Sequence, residues 1–369
     1  MFGRFLVKGT MLIVNIVFAI LLLITLSASH INPEQFVVPA FTTLVFPLTI
    51  LANIFFVVFW LLAKKWHFLL SLLILLLSSS QIAVVFPVHF GRTQEHVEGQ
   101  KIRVLSYNTM LFGHLKKHTE SNPNKTIEHI LASDADVVCL QEFAVSSKSK
   151  SDYLTQGDIY KIFKKYPYKH IEYNQNENWK RSGIATFSKF PIVNKVDFSD
   201  ENEFGVTIYT DIKVGDDTIR LFNNHLESNR LTERDRSLPL DLKDDFDSEK
   251  LTGTTKILSR KLFIAYKTRA KQANRIAKEI DKSPYKVLLC GDFNDVPVSY
   301  TYSQIKGDLK DAYVETGLGL GWTLNLSIYR FRIDYIFYDS RYFQTNDLVI
   351  DKVKCSDHFP IHADIILKN

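Results

Sequence analysis

The stretch KVLLCGDFND, residues 286–295, decides both the fold and the place where chemistry is expected. A short apolar run that ends at a glycine predicts a buried β-strand. The run stops at Gly291, and Asp292 and Asn294 follow it directly. Two oxygen-bearing side chains at a strand end indicate a functional site, although an Asx-type turn that satisfies its own backbone explains the same residues.

The same pattern recurs along residues 100–369. Apolar or β-rich runs lead into Asn108, Glu142, His225, Asp334 and the pair Asp357-His358. Glu142 ends a run that should be buried, and an isolated buried carboxylate is costly unless it is paired or binds a metal. Carboxylates, amides and imidazoles without a thiolate cluster suit a hard cation such as Mg²⁺ and an oxyanionic substrate. The repeated pattern therefore predicts a metal-assisted site.

Between these runs the sequence predicts a mixed α/β domain. Helices are expected around residues 126–133 and 255–280. In the second of these, apolar residues recur on one side. The charge-dense segment 233–250 is expected to be a mobile surface loop. The three cysteines, an odd number, lie in apolar stretches, so buried core thiols are expected rather than a disulfide framework.

Residues 1–90 have a different composition. They contain only four of the 45 Lys and Arg residues and one of the 40 Asp and Glu residues. Uncharged runs at about 9–29, 36–63 and 68–89 each reach the roughly 20 residues that cross a bilayer as a helix. We predict a membrane anchor of three transmembrane helices over 1–90, a linker over 91–99 and a soluble domain over 100–369. A cleaved signal peptide is the alternative for the first run, but two more apolar runs follow it.

The positions of the cations predict the orientation of the anchor. Arg4 and Lys8 precede the first run, and Lys64 and Lys65 separate the second from the third. Because Lys and Arg favour the cytoplasmic side, three spans place the soluble domain outside the cytoplasm. The expected location is the cell (inner) membrane, with a multi-pass anchor. The soluble part is nearly neutral, which argues against tight, sequence-independent binding of nucleic acid.

Seven motifs in residues 100–369 carry a resemblance to a known family. The ordered series YNTMLFG, LQEF, GIATFSKFPI, NNHLES, GDFND, RIDYIF and SDHFPI resembles the motifs of the endonuclease/exonuclease/phosphatase family, the DNase I-like superfamily. The resemblance implies a four-layer α/β sandwich, in which two mixed sheets pack face to face with helices outside and the active site lies at one edge. It implies Mg²⁺ as cofactor, with Mn²⁺ as a substitute. The implied partners are a phosphoester, such as nucleic acid, a nucleotide or a phospholipid head group, and the lipid bilayer through the N-terminal helices.

The resemblance also implies roles for the residues around the metal and the attacking water. Glu142 matches the family's chief Mg²⁺ ligand, and Asn108 matches the amide that assists at the metal. Asp357 matches a further acidic residue near the metal. Asp292 matches the residue that orients or deprotonates the water, and Asn294 matches the amide that holds a phosphoryl oxygen. Asp292 and Asn294, two residues apart on a turn, are thus expected to address the same phosphorus atom.

Three further residues complete the implied catalytic set. His358 matches the histidine that contacts the scissile phosphate, and Asp334 matches the carboxylate that fixes its tautomer. His225 matches the histidine that helps protonate the leaving oxygen. The implied enzyme is a metal-dependent phosphoric ester hydrolase that cleaves phosphodiesters or phosphomonoesters by in-line attack of water, as a nuclease or as a lipid or nucleotide phosphodiesterase. The alternative is a catalytically silent, membrane-tethered binding module on the same fold, which the intact motif residues disfavour.

Overall fold

The computed structural model describes residues 2–89, 98–148, 152–201, 203–230, 248–326 and 330–369, which divide into two units. The first unit comprises Met1–Val85, Asn229–Ala273 and Val296–Gln304, and the second comprises Phe86–Ser228, Asn274–Asp295 and Ile305–Asn369. Residues 91–97 of the predicted linker 91–99 lie outside the described residues. Residues 233–247 of the predicted loop 233–250 also lie outside them.

Apolar helices dominate the first unit. They are α1 (Phe2–Ser27), α2 (Val38–Thr42), a 3-10 turn (Thr43–Val45), α3 (Phe46–Leu62), α4 (Phe68–Leu77) and α5 (Ser79–Val85). Two stretches, Val7–Ser27 and Val38–Leu62, are long and apolar enough to cross a membrane. Helices α4 and α5 occupy the third predicted run and meet at a bend of 62°, so they make a third span only if the pair counts as one broken helix.

Buried polar side chains connect α1, α3 and α4. The Asn15 amide donates to Ser71 Oγ at 2.6 Å, and the Ser71 hydroxyl donates to Asn53 Oδ1 at 2.9 Å. The Trp60 indole donates to Asn15 Oδ1 at 2.9 Å. Packing between helices in lipid gains little from apolar burial, so hydrogen bonds of this kind help to decide which helix faces meet. We call these four residues the Asn15 network.

A long helix, α8 (Ser248–Asp281), begins in the first unit and ends in the second. It starts seven residues before the predicted helix 255–280, so residues 248–250 are helical rather than part of a loop. Charge density does not prevent a helix, because Glu and Lys are good helix formers. The remaining short helix of this region is α9 (Tyr300–Lys306).

The second unit is built from two β-sheets. Its strands are β1 (Gly99–Asn108), β2 (Val137–Ser146), β3 (Tyr168–Asn176), β4 (Lys180–Ser188), β5 (Ile192–Asp197), β6 (Val206–Val214), β7 (Asp217–His225), β8 (Lys286–Asp292), β9 (Lys310–Asp311), β10 (Asp334–Tyr338), β11 (Phe343–Thr345), β12 (Val349–Ile350) and β13 (Ile361–Lys368). The seven-stranded sheet has the order β11-β13-β1-β2-β4-β3, with β12 beside β13, and the six-stranded sheet has the order β5-β6-β7-β8-β10-β9. Both sheets mix parallel and antiparallel pairs.

The main core lies between the sheets. Its buried residues come from alternate positions of both sheets, among them Ile102, Val104, Val137, Cys139, Ile219, Leu221, Leu288, Cys290 and Ile336. Alternation arises because successive side chains on a strand point to opposite faces. A second cluster joins the outer face of the seven-stranded sheet to α6 (Lys125–Ala132) and α7 (Gln156–Ile162). The predicted α/β sandwich is confirmed, and Cys139 and Cys290 are buried core thiols as expected, while Cys355 is partly exposed.

Local sequence explains the position of α6. The side chain of Asn124 accepts hydrogen bonds from the backbone amides of Thr126 and Ile127, which caps the first turn of the helix. Ile127 and Ile130, three residues apart, are both buried against the sheet. The helix predicted around 126–133 is therefore confirmed to within one residue at each end. A turn of left-handed backbone, Met110–Leu115, precedes it.

A buried histidine makes the stability of the second unit dependent on pH. His170 on β3 contacts Thr210 Oγ1 of β6 at 2.8 Å, and burial lowers the pKa of its imidazole to about 4. The partly exposed carboxylate of Glu172, 3.2 Å from Nε2, acts in the opposite direction, but water screens it. The folded protein therefore binds fewer protons here than the unfolded chain, whose histidine titrates near about 6.5.

We expect the free energy of unfolding to fall as the pH drops from about 6.5 towards 4, by at most about 3 kcal/mol from this residue. The measurement is the urea midpoint of the full chain in detergent across that range. His170→Gln should flatten the dependence, whereas His114→Gln, at an exposed position, should preserve it. Equal slopes in the His170 variant and the unaltered chain would contradict the assignment.

Candidate active site

The strand arrangement brings the predicted site residues to one edge of the sandwich. β1 and β2 run parallel, as do β7 and β8, so their carboxyl ends lie at the same side. β10 is antiparallel to β8, with Asp334 directly opposite Asp292. β13 is antiparallel to β1, and its first residue, Ile361, lies opposite Ser106. The residues just before β13, including His358, therefore lie near the carboxyl end of β1.

The site continues the rows of side chains that form the core between the sheets. On β1 the inward row is Ile102, Val104, Ser106, Asn108; on β7 it is Ile219, Leu221, Asn223, His225; on β8 it is Leu288, Cys290, Asp292; on β10 it is Asp334, Ile336, Tyr338. Each row is apolar in the middle of the sandwich and becomes polar at the same edge. Alternation on a strand therefore aims these polar groups into a common space.

Glu142 joins this space through a β-bulge. The prediction that Glu142 ends its strand was wrong, because β2 continues to Ser146. The pairing of β2 with β4 shifts between Leu140 and Phe143, and Glu142 has a φ of 47°. A bulge places two successive residues against one partner and re-aims a side chain. The side chain of Glu142 is consequently 35% exposed rather than fully buried.

Asn108 and His225 link the carboxylates of the site. The Asn108 amide nitrogen donates to Asp292 Oδ2 at 3.0 Å and to Glu142 Oε1 at 3.3 Å. The Nε2 atom of His225 lies 3.8 Å from Asp292 Oδ2 and 3.9 Å from Glu142 Oε1. This nitrogen is buried and has no hydrogen-bond partner among the described residues. A buried polar atom without a partner costs free energy, so its position suggests a ligand.

His358 forms a buried pair with Asp334. Its Nδ1 lies 2.9 Å from Asp334 Oδ2, and its Nε2 lies 3.7 Å from Asp292 Oδ2. Burial alone lowers the pKa of His358, but the negative charges of Asp334 and Asp292 outweigh it and raise the pKa well above its usual value. The imidazole is therefore protonated near neutral pH, and Nε2 carries a proton towards the centre of the site.

Asp292 is the most deeply placed carboxylate of the site. Burial raises its pKa above the ordinary value of an aspartate, while the nearby His358 and His225 oppose the shift. Gly291 makes its position possible: its φ is +142°, and a Cβ atom there would lie 2.0 Å from the Asn224 carbonyl oxygen. Only glycine permits the neighbouring backbone of β7 to approach so closely.

Two predicted residues are attached to the site less directly. Asn294, with a φ of 52°, donates its backbone amide to Asp292 Oδ1 at 2.8 Å, while its side chain donates to the Leu226 carbonyl at 3.1 Å. Asp357 accepts from the Ser356 hydroxyl at 3.3 Å, and that hydroxyl also donates to the Asn108 carbonyl at 2.8 Å. Both residues thus lie beside the group formed by Asn108 and Asp292. The contacts predicted for them with the metal and the phosphate stay predictions.

Several residues that hold the site in place were not predicted from the sequence. Gln141, the other residue of the bulge, donates to Asn223 Oδ1 at 2.7 Å between the sheets. The Thr323 hydroxyl accepts from the backbone amides of Ile333 and Asp334 at 3.0 and 3.1 Å. The sequence did contain a pattern that indicates Gln141 and Asn223, because each follows apolar, inward-facing residues at alternate positions of its strand. Thr323 gives no such signal, since it lies in a loop, outside the alternating pattern of a strand.

The donor set fits a hard divalent cation. The ligand atoms of Asp292, Asp334 and His358 lie within 4.8 Å of one another, the one such group of three in the described part of the chain. Within that group, His358 Nδ1 already pairs with Asp334 Oδ2. Glu142 with the Asn108 amide fits better: its carboxylate is partly open to solvent, and Mg²⁺ usually takes one or two carboxylates and completes its shell with water and phosphate.

Comparison with known proteins finds two family models that match parts of the chain. The model of the endonuclease/exonuclease/phosphatase family matches residues 105–358, which is more than half of the chain. A second family model, "Domain of unknown function (DUF8431)", matches residues 8–85. No curated protein matches the chain in sequence.

Several solved structures resemble the chain. An endonuclease/exonuclease/phosphatase from Beutenbergia cavernae DSM 12333 has 16% identity and a TM-score of 0.49, covering 73% of this chain and 72% of its own. A family protein from Leptotrichia buccalis C-1013-b has 16% identity and a TM-score of 0.48, covering 72% and 99%. The human Nocturnin catalytic domain, solved with bound sulfate, has 17% identity and a TM-score of 0.49, covering 74% and 97%.

Proposed function

Because the chain belongs to the endonuclease/exonuclease/phosphatase family, we propose that it is a membrane-anchored, Mg²⁺-dependent phosphodiesterase. Membership makes it a phosphoric ester hydrolase, and the family includes phosphodiesterases and nucleases. The observation that carries the proposal is the convergence of Asn108, Glu142 and Asp292 with two histidines at one edge of the sandwich.

The proposed reaction is in-line attack of water on the phosphorus. Asp292 orients the water and accepts its proton, a role for which a raised pKa makes the carboxylate a stronger base. His358, protonated through its pair with Asp334, donates from Nε2 to a phosphoryl oxygen as negative charge builds there. His225 protonates the leaving oxygen from its unpartnered Nε2. Asn294 steadies a further phosphoryl oxygen.

Glu142 and Asn108 would hold the metal, with Asp357 as the further acidic residue that the resemblance implies. Mg²⁺, or Mn²⁺ in its place, neutralises charge on the phosphoryl oxygens when bound. The partly exposed position of Glu142 leaves room for water and substrate oxygens beside the carboxylate. The protonated His358 lies across the site and stays bonded to Asp334.

The N-terminal helices serve as the anchor in this proposal. Two stretches are able to cross a bilayer by length and composition, and the proposal takes the bent pair α4 and α5 as a third, broken span. With three spans and with Arg4 and Lys8 on the cytoplasmic side, we propose that the catalytic domain lies outside the cytoplasm. An enzyme in that position meets phospholipid head groups and extracytoplasmic nucleic acid or nucleotides, which defines the substrates to test.

The test is hydrolysis by the full chain in detergent, stripped with EDTA and then given Mg²⁺ or Mn²⁺. Plasmid DNA, RNA, a synthetic bis-phosphodiester and phospholipid vesicles are the substrates. We expect cleavage to return with the metal and to be lost in Glu142→Gln, which removes a ligand charge. Glu120→Gln, at an exposed position, is the matched control. Cleavage that survives EDTA, or that Glu142→Gln leaves unchanged, would reject the metal assignment.

A further inference from the structure

The first part of α8 combines exposed apolar and basic side chains on one side. Ile257, Phe263 and Ile264 are 55%, 41% and 51% exposed, respectively. Lys256 and Arg260 are exposed on the same side, and Ile257, Arg260 and Ile264 follow the spacing of three and four residues that aligns side chains along a helix. The opposite side of the helix is buried at Ala265, Arg269 and Ala273.

The charge of this stretch has one sign. Residues 255–273 contain six Lys and Arg residues and no Asp or Glu. A helix with exposed aromatic and aliphatic residues among cations is the kind that lies in the interface of an anionic bilayer. Single-stranded nucleic acid also attracts cations, but exposed isoleucines contribute nothing to phosphate binding.

The contacts of α8 within the first unit show at what depth such a bilayer would lie. The ring of Tyr266 packs edge-on against that of Phe41, with 5.3 Å between centroids and 75° between planes. Lys271 Nζ lies 4.0 Å from Glu34 Oε1. Glu34 belongs to the connection between the two apolar stretches, and Phe41 lies at the start of the second stretch. This connection lies at the bilayer surface if the stretches span the membrane.

We propose that residues 255–273 of α8 bind the surface of an anionic bilayer, with Ile257, Phe263 and Ile264 in the interface and Lys256, Arg260 and Lys267 at the lipid phosphates. The inference rests on the proposed membrane anchor and goes beyond the proposed catalytic activity. A bilayer is favoured as the partner because α8 contacts Glu34 and Phe41, which lie at the membrane surface if the two stretches span the membrane. Each Lys or Arg near such a surface changes the equilibrium constant for membrane binding, or for local opening of the bound helix, by about five-fold.

The experiment is amide hydrogen exchange of the full chain in nanodiscs. Exchange of amides 256–267 is compared in phosphatidylcholine and in a mixture with phosphatidylglycerol. We expect the anionic lipid to slow it by about ten-fold or more, and high salt to cancel the effect. The triple variant Lys256→Gln, Arg260→Gln, Lys267→Gln should lose the lipid dependence. The matched triple variant Lys164→Gln, Lys195→Gln, Lys352→Gln, at three exposed positions, should keep it.

The outcomes separate this inference from the anchor on which it depends. Failure of the chain to co-elute with nanodiscs would contradict the anchor. In loaded discs, equal exchange in the two lipid mixtures would contradict the role of α8 alone, as would a lipid effect that the α8 triple variant retains. Slower exchange caused by a single-stranded oligonucleotide in neutral discs, without any effect of anionic lipid, would assign the surface to nucleic acid instead. The double variant Phe263→Ser, Ile264→Ser should weaken the lipid effect without changing hydrolysis of a soluble substrate.

Discussion

Asp292→Asn is expected to lower kcat/KM by about a thousand-fold or more. The substitution removes the group proposed to accept the proton of the attacking water, and general base catalysis alone contributes about a hundred- to ten-thousand-fold. Asparagine has nearly the same shape, so the strand pairing with Asp334 and the hydrogen bond from Asn108 can persist. The measurement is the initial rate on the bis-phosphodiester at saturating Mg²⁺.

Stability distinguishes this loss from simple unfolding. Burial raises the pKa of Asp292, and its charge lies near that of Asp334, so the ionised carboxylate is held at a cost to the fold. The urea midpoint of Asp292→Asn should therefore equal or exceed that of the unaltered chain. Asp308→Asn, at an exposed position, is the control and should change neither quantity. A stable Asp292→Asn protein with an undiminished rate would remove Asp292 from the mechanism.

His358→Gln is expected to reduce kcat by about a hundred- to thousand-fold, the usual effect of removing one positioned donor from a developing charge. Asp334→Asn should have an effect of similar size, since Asp334 acts on the substrate only through the imidazole that it holds at 2.9 Å. The double variant should then be no slower than the slower single variant, because the two residues work as one unit.

A second histidine–aspartate pair supplies the control. His362 Nδ1 lies 3.1 Å from Asp351 Oδ2, partly buried on β13 and outside the group around Asp292. His362→Gln removes the same kind of contact without touching the site, so its effect on kcat should be negligible. Fully additive losses in His358→Gln and Asp334→Asn would show that the residues act separately and that the proposed pair is not the working unit.

Much of the site could be predicted from the alternation of residues along single strands. The row Ile219, Leu221, Asn223, His225 shows from sequence that His225 lies on the same face as two core residues. The convergence of this row with Asp292 required knowledge of the parallel pairing of β7 and β8, which no single strand reveals. The resemblance to a family supplied that knowledge in advance.

The failures have different physical causes. Glu142 lies on a strand that continues past it, because a bulge changes the alternation at Gln141 and Glu142 by one residue. A bulge depends on the partner strand, so the sequence of β2 alone could not predict it. Thr323 reaches Asp334 through tertiary structure only. The early start of α8 at Ser248 reflects helix propensity that the local charge density had obscured.

The Asn15 network gives the N-terminal helices specific contacts with one another, in addition to their apolar surface. Any apolar segment of sufficient length can hold a domain near a bilayer, whatever the rotation of that segment about its own axis. Hydrogen bonds from Asn15 to Ser71 and from Trp60 to Asn15 are satisfied only when the helices meet through particular faces. Unrelated apolar segments of the same length would therefore lack the specific packing of α1, α3 and α4, so these helices are not interchangeable with any apolar segment.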